Sequence, residues 1–296
     1  MTAALLILPN FALIVVGLVL ARGFAYGRDF WAGLEKLVYY VLFPALLFRS
    51  LAVAKIDLAQ AGALILAACA FTTAGFGLSL LARPLFRLDP MMAAATSQCA
   101  YRFNTYIGLA VAGSLFGTAG VAFTALLLGV LILLVNFFAV AVLARHSDRG
   151  FAREMATHPL LLSSLAGFAW NLAALPLPAF ADQTLALLAT AALPAGLLSV
   201  GAAMRWEPGA GSFGAHAWWL ATKLVVLPAM ALALTRFAAF GAMEARLLVL
   251  CAALPTATSA YILAVRMTGD GRAVALQVSA GTLLSMATIP TWMAIA

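Results

Sequence analysis

Residues 96–108 read Thr96-Ser97-Gln98-Cys99-Ala100-Tyr101-Arg102-Phe103-Asn104-Thr105-Tyr106-Ile107-Gly108. This window sets an arginine, amides and hydroxyls inside a run otherwise apolar enough to cross a bilayer. Polar side chains at that depth are costly, and they either pair or serve a pathway. A second window lies further along the chain, Cys251-Ala252-Ala253-Leu254-Pro255-Thr256-Ala257-Thr258-Ser259-Ala260-Tyr261. Pro255 cannot donate to the carbonyl of Cys251 and disfavours helical geometry at Leu254, so a local opening of the helix is expected there. In a regular helix Arg102 and Asn104 would point about 200° apart. They can share one cavity only if the backbone unwinds between them.

The setting of these windows is a chain of 296 residues, 65% hydrophobic and 9% charged, with a mean hydropathy of +1.07. A soluble domain carries about a quarter charged residues, so a water-soluble globule is excluded. At about 20 apolar residues per crossing, ten crossings would use about two thirds of the chain and leave only short loops. Apolar runs predict spans at Ala3–Ala21, Leu34–Val53, Ala59–Ala82, Met91–Gly113 and Thr118–Ala144, and then at His158–Leu175, Thr184–Met204, Ala215–Phe237, Met243–Met267 and Ala273–Ala296. The domain reading is a first five-helix repeat over 1–144, a short cytoplasmic connecting loop over 145–157, and a second, inverted five-helix repeat over 158–296.

The net charge of +7 is spread singly and in pairs with no basic run, which argues against a nucleic-acid partner. Its use is topological. Arg22, Arg28, Arg83, Arg87, Arg145, Arg149, Arg153, Arg205, Arg266 and Arg272 fall in the odd-numbered loops, against Arg49, Lys55, Arg236 and Arg246 on the other side. Short loops rich in Lys and Arg stay in the cytoplasm, so both termini are expected outside it. No positive charge precedes Arg22, so the first run reads as a retained helix, not a cleaved signal peptide. Cys69, Cys99 and Cys251 lie in apolar stretches and read as packing residues, not as a disulfide framework.

The two halves match each other. At an offset of 150, Pro9 pairs with Pro159, Gly17 with Gly167 and Pro44-Ala45 with Pro194-Ala195; at 152, Cys99 pairs with Cys251, Gly117 with Gly269 and Gly129 with Gly281. An odd number of spans per copy forces the second copy to enter the membrane from the opposite face. Inverted repeats of this kind typify secondary transporters, which hold substrate near the midplane at the repeat interface.

Charge sign narrows the substrate. Every carboxylate, Glu35 and Asp182 among them, reads as a loop or helix-end residue, so no exchangeable carboxylate stands at the midplane of the kind a sodium/proton antiporter or proton pump needs. Arg102 is the deep cation. Lys223, about eight residues into span 8, either reaches the interface beside Trp218 and Trp219 or adds a second deep cation. Broken helices would present free N–H groups and partial positive charge to an anion. Asn104, Thr105, Thr256, Thr258 and Ser259 would supply further hydrogen bonds, and Arg102 is either the anion's partner or a clamp on freed carbonyls. Asn10, Asn136 and Asn171 read as interhelical glue, and Gly113 and Gly117 straddle a turn. His146, His158 and His216 form no cluster, so no metal and no cofactor is expected. No nucleophile and base meet at a recognisable spacing, which disfavours an enzyme.

Three stretches together, Leu34-Glu35-Lys36-Leu37-Val38-Tyr39-Tyr40-Val41-Leu42-Phe43-Pro44-Ala45-Leu46-Leu47-Phe48, Arg102-Phe103-Asn104-Thr105-Tyr106-Ile107-Gly108 and Leu254-Pro255-Thr256-Ala257, resemble the auxin efflux carrier family and its bacterial permeases. The resemblance implies an all-α polytopic protein of ten spans in two inverted repeats, with broken spans 4 and 9 crossing as in the sodium/proton-antiporter-like fold. It further implies a scaffold from spans 1, 2, 6 and 7, and a secondary permease of small organic anions such as carboxylates or auxin-like acids. A bacterial inner-membrane location and a homodimer accord with it. Asn104 and Pro255 fall on the family's crossover positions. Phe103 stands where plant carriers have proline, and the long central loop of those carriers is reduced here to about a dozen residues. Pro44, Pro194 and Gly108 are the expected helix-breaking or scaffold positions. The competing readings are a sodium-coupled symporter of the bile-acid type and a non-transporting membrane sensor.

Overall fold

The computed structural model describes residues 3–24, 26–54, 58–143, 159–205, 212–237, 240–257, 259–268 and 271–296. The expected connecting loop 145–157 and Thr258 lie outside them. The described residues are mostly helical and form no strand. In chain order the helices are α1 (Ala3–Gly23), α2 (Arg28–Leu37), α3 (Phe43–Ala52), α4 (Leu58–Phe86), α5 (Pro90–Ser97), α6 (Thr105–Leu143) and α7 (Pro159–Leu172). They continue with α8 (Ala179–Ala203), α9 (Phe213–Ala221), α10 (Leu227–Phe237), α11 (Ala242–Ala253), α12 (Ser259–Thr268) and α13 (Arg272–Ile295). One π turn, Val38–Leu42, joins α2 to α3, and another, Thr222–Val226, joins α9 to α10.

Among the described residues seven stretches are long and apolar enough to cross a membrane: Leu5–Gly23, Arg28–Ala52, Gly62–Phe86, Pro90–Ala139, Ala179–Ala203, Phe213–Phe237 and Arg272–Ile295. The protein is therefore a multi-pass membrane protein. Ten spans were expected, and the difference has two sources. Pro90–Ala139 is 50 residues long, more than twice what one crossing needs. Helices α7, α11 and α12 have 14, 12 and 10 residues, so each is too short to qualify alone. The long stretch is divided at Gly117, whose φ of 62° and ψ of −150° only glycine adopts without strain. The bend expected between Gly113 and Gly117 thus falls on Gly117 itself, while Gly113 stays helical.

The start of the second span differs from expectation. The helix begins at Arg28, not Leu34, so Glu35 sits within helical structure, not at its end. The reason is amphipathicity: Asp29, Glu35 and Lys36 share α2 with Phe30, Trp31 and Leu34, and none of its residues is buried.

The chain divides into two compact units. The first comprises Met1–Leu58, Leu109–Gly129 and Gly150–Ala203; the second comprises Ala59–Gly108, Val130–Arg149 and Met204–Ala296. Each draws on both halves of the sequence.

In the first unit α1 lies along α8 and α3 along α7. Both contacts are backbone to backbone. Gly17 rests against the Leu198 main chain and Gly167 against the Phe48 main chain, with no room for a Cβ at either glycine. The two contacts are related residue by residue, since Gly17 and Gly167, like Phe48 and Leu198, stand 150 apart. Asn10 donates to Ser114 Oγ at 2.9 Å, and Asn171 donates to the carbonyls of Ala52 and Ala54 at 3.1 and 2.6 Å, tying separate segments as interhelical glue should. A bidentate ion pair, Arg49 to Asp182 at 2.7 and 3.2 Å, links α3 to α8 beside a cavity of about 400 Å³. Leu5, Leu8, Val15, Val16 and Val19 leave α1 with an apolar exterior.

Neither proline named as a helix breaker interrupts its helix here. Pro44 sits in the first turn of α3, where the preceding π turn has already shifted the bonding so that Phe43 N donates to Val38 O. Pro194 is exposed inside continuous α8. Gly108 also lies within a helix, its N–H donating to Asn104 O at 3.0 Å. The interruption comes before it.

Candidate functional site

The second unit contains both windows singled out above. Helix α11 ends at Ala253, and Leu254 leaves helical space with φ −61° and ψ 137°. This is the geometry proline imposes on its predecessor. The chain runs without helix through Leu254–Ala257 and resumes as α12 at Ser259.

The first window opens at the matching place without a proline. Asp89 starts α5 as a cap, its Oδ1 accepting from the N–H groups of Met91 and Met92 at 2.9 Å each. Helix α5 stops at Ser97, tightens into a 3-10 turn over Gln98–Ala100, and gives way to non-helical backbone up to Asn104. Asn104 then starts α6, with Oδ1 accepting from Tyr106 N at 3.0 Å and Ile107 N at 3.2 Å. The amide expected to meet a ligand is therefore also a helix cap.

The two interruptions cross. Asn104 N donates to Pro255 O at 2.7 Å, and Thr256 Oγ1 donates to Cys99 O at 2.6 Å. Gln98 Nε2 donates to Ala95 O at 2.8 Å and reaches Ala260 O at 3.3 Å. These bonds serve backbone groups that the helix breaks release, in a setting where unpaired groups are expensive. Asn104 and Thr256 are 2% and 3% exposed.

Arg102 is buried, and its two guanidinium arms donate to Gln98 Oε1 at 2.7 Å and to Asn136 Oδ1. It holds two side-chain amides, one from the 3-10 turn and one from α6. These two amide partners are neutral and orient the guanidinium. Tyr101, next to it, is fully buried and packs edge-on against Phe76 and Phe138. Thr105, the first residue of α6, is half-buried, and Ser259, the first of α12, is exposed.

Lys223 turns inward, the second of the two readings its position allowed. It is 2% exposed, lies in the π turn after α9, and its Nζ donates to Ala252 O at 3.0 Å in the last turn of α11. The indoles of Trp218 and Trp219 donate instead to Leu78 O and Ser79 O of α4, at 2.9 and 3.1 Å. Gln277 had no sequence signal at all. Its Nε2 lies 2.8 Å from His216 Nδ1 and 3.0 Å from His216 O, which joins α13 to α9.

Two half-helix N-termini and two half-helix C-termini thus converge on one crossing. Residues 143–293 match the family model described as "Membrane transport protein". The chain belongs to the membrane transport protein family. This is the auxin efflux carrier family that the sequence motifs resemble. A curated protein of Rhizobium meliloti (strain 1021), named "Putative malonate transporter", is 27% identical over 297 residues, covering 96% of this chain and 92% of its own length. Membership makes the chain a transport protein.

Proposed function

We propose that this protein is a secondary permease for small organic anions, with a carboxylate such as malonate as substrate, and that it works by alternating access of the elevator type. Ten crossings in two inverted repeats, with both termini outside the cytoplasm, are part of this reading. The residue-by-residue relation of the Gly17–Leu198 and Gly167–Phe48 contacts supports the repeat, because a two-fold operation that exchanges the halves converts one contact into the other.

The crossing of the two broken spans is the observation that carries the proposal. The starts of α6 and α12 offer the positive end of a helix to an anion. One carbonyl at each opposing end is already engaged, Cys99 O by Thr256 and Ala252 O by Lys223. The local balance therefore favours negative charge, and Arg102 strengthens it. With Oδ1 committed to the cap, the NH2 group of Asn104 is left to meet the ligand. Thr105, Thr256 and Ser259 border the same stretch, with Thr258 between the last two in sequence.

Counterflow of labelled malonate in liposomes tests this, with saturable uptake expected from the wild-type protein. Asn104→Asp sharpens it, because aspartate caps a helix as well as asparagine and suits the dipole, while its charge repels the anion. The variant should melt like wild type and lose flux about tenfold or more, the equivalent of 1.4 kcal/mol. Saturable malonate binding with no flux would point to a sensor. Wild-type flux from Asn104→Asp would take that residue out of the anion's path.

A further inference from the structure

We propose that the Lys223 ammonium takes the place that a coupling sodium ion holds in other broken-helix carriers, so that anion transport here is independent of sodium. The inference rests on the permease reading and specifies what balances charge at the crossing. In such carriers the carbonyls of unwound backbone and the C-terminal ends of half-helices coordinate the cation. The matching carbonyl end in this chain is the last turn of α11. Pro255 contributes no N–H to it, and Leu254 turns the chain away from the helix axis.

Lys223 fills that position from a neighbouring element, its Nζ 3.0 Å from Ala252 O and its side chain 2% exposed. The π turn over Thr222–Val226 is a second, independent sign of function, because such insertions cost helix stability and recur at working sites. The turn is held from outside the helix: the Trp292 indole donates to Leu224 O at 2.9 Å. The carboxylates described in this unit stand elsewhere. Asp89 caps the start of α5, and Glu244 lies in the first turn of α11, about 12 Å along the helix from Ala252 at 1.5 Å per residue. The ammonium is thus held by a carbonyl at the negative end of a helix dipole, as a bound cation would be.

The test uses purified full-length protein in liposomes with labelled malonate as probe. Wild-type exchange should run at the same rate in sodium chloride and in choline chloride. Lys223→Ala should fall at least tenfold in choline, and propylammonium, which carries the atoms that the substitution deletes, should restore at least half the wild-type rate. A lysine that merely props the fold would show no such rescue. Sodium stimulation of the wild-type rate by fivefold or more overturns the inference and leaves the permease reading intact. Undiminished exchange by Lys223→Ala in choline also overturns it. Absence of wild-type flux in every cation overturns the permease reading and this inference with it. If Lys223→Ala does not fold, Lys223→Met, which keeps most of the chain length and removes the charge, takes its place: a tenfold loss in choline is expected, and undiminished exchange overturns the inference.

Discussion

The two interruptions at the centre of the second unit reach similar geometry by different chemistry. In the second of them one residue suffices: Pro255 withholds an N–H and forces Leu254 into extended backbone. In the first, Phe103 has no such power, and the open stretch is kept by side chains. Gln98 braces Ala95 and Ala260, Arg102 reaches Gln98 and Asn136, and Asn104 caps α6. A covalent break is local and robust. A break made of hydrogen bonds depends on the rest of the fold and can carry charge into the opening, which proline cannot do.

The sharpest way to break this contrast is Arg102→Ala. The substitution leaves Gln98 Oε1 and Asn136 Oδ1 without their donor, and each buried unsatisfied group costs about 1–3 kcal/mol. Malonate flux should fall about a hundredfold, or about 2.7 kcal/mol in transition-state terms, with a lower melting temperature. Normal flux from a folded variant would reduce Arg102 to a spectator.

Pro255→Ala should behave in the opposite sense, because it returns the missing N–H and lets α11 run on towards α12. Proline is disfavoured in a helix interior by about 3 kcal/mol relative to alanine. The melting temperature should therefore hold or rise while flux drops about tenfold. A fall in stability with flux retained would show that the proline is not what keeps this break open.

Thr256→Val removes the hydroxyl bond to Cys99 O and nothing else of similar size. A loss of about 1 kcal/mol in stability is expected, with flux reduced only about threefold, by roughly 0.65 kcal/mol. Thermal melting of the reconstituted protein measures the first and counterflow the second. An effect as large as that of Arg102→Ala would mean that the bonds between the breaks outweigh those within them.

These differences explain what could be read in advance. Proline acts on its own neighbours, so the opening at Leu254–Pro255 is legible from two letters. The partners that hold Arg102 are not, because Asn136 lies 34 residues away and the pairing exists only once α6 has folded back past it. The sequence left Lys223 open for a related reason: an ammonium eight residues into a span can as well extend to the interface as turn inward, and only the end of α11, 29 residues on, decides between them. Membrane spans follow from composition, whereas their count does not, since α6 runs on through its bend at Gly117 and the short helices fall below the length of a full crossing. The Gly17 and Gly167 equivalence was visible as a repeat. That both glycines serve as close-approach points was not.

The bond from Asn104 N to Pro255 O has a bearing on biogenesis. It joins residues far apart in the order of synthesis, so the N–H at the start of α6 has no acceptor until most of the chain has left the ribosome. The early window must therefore wait inside the bilayer in some other arrangement, and it reaches its final shape only when the late one arrives to complete it.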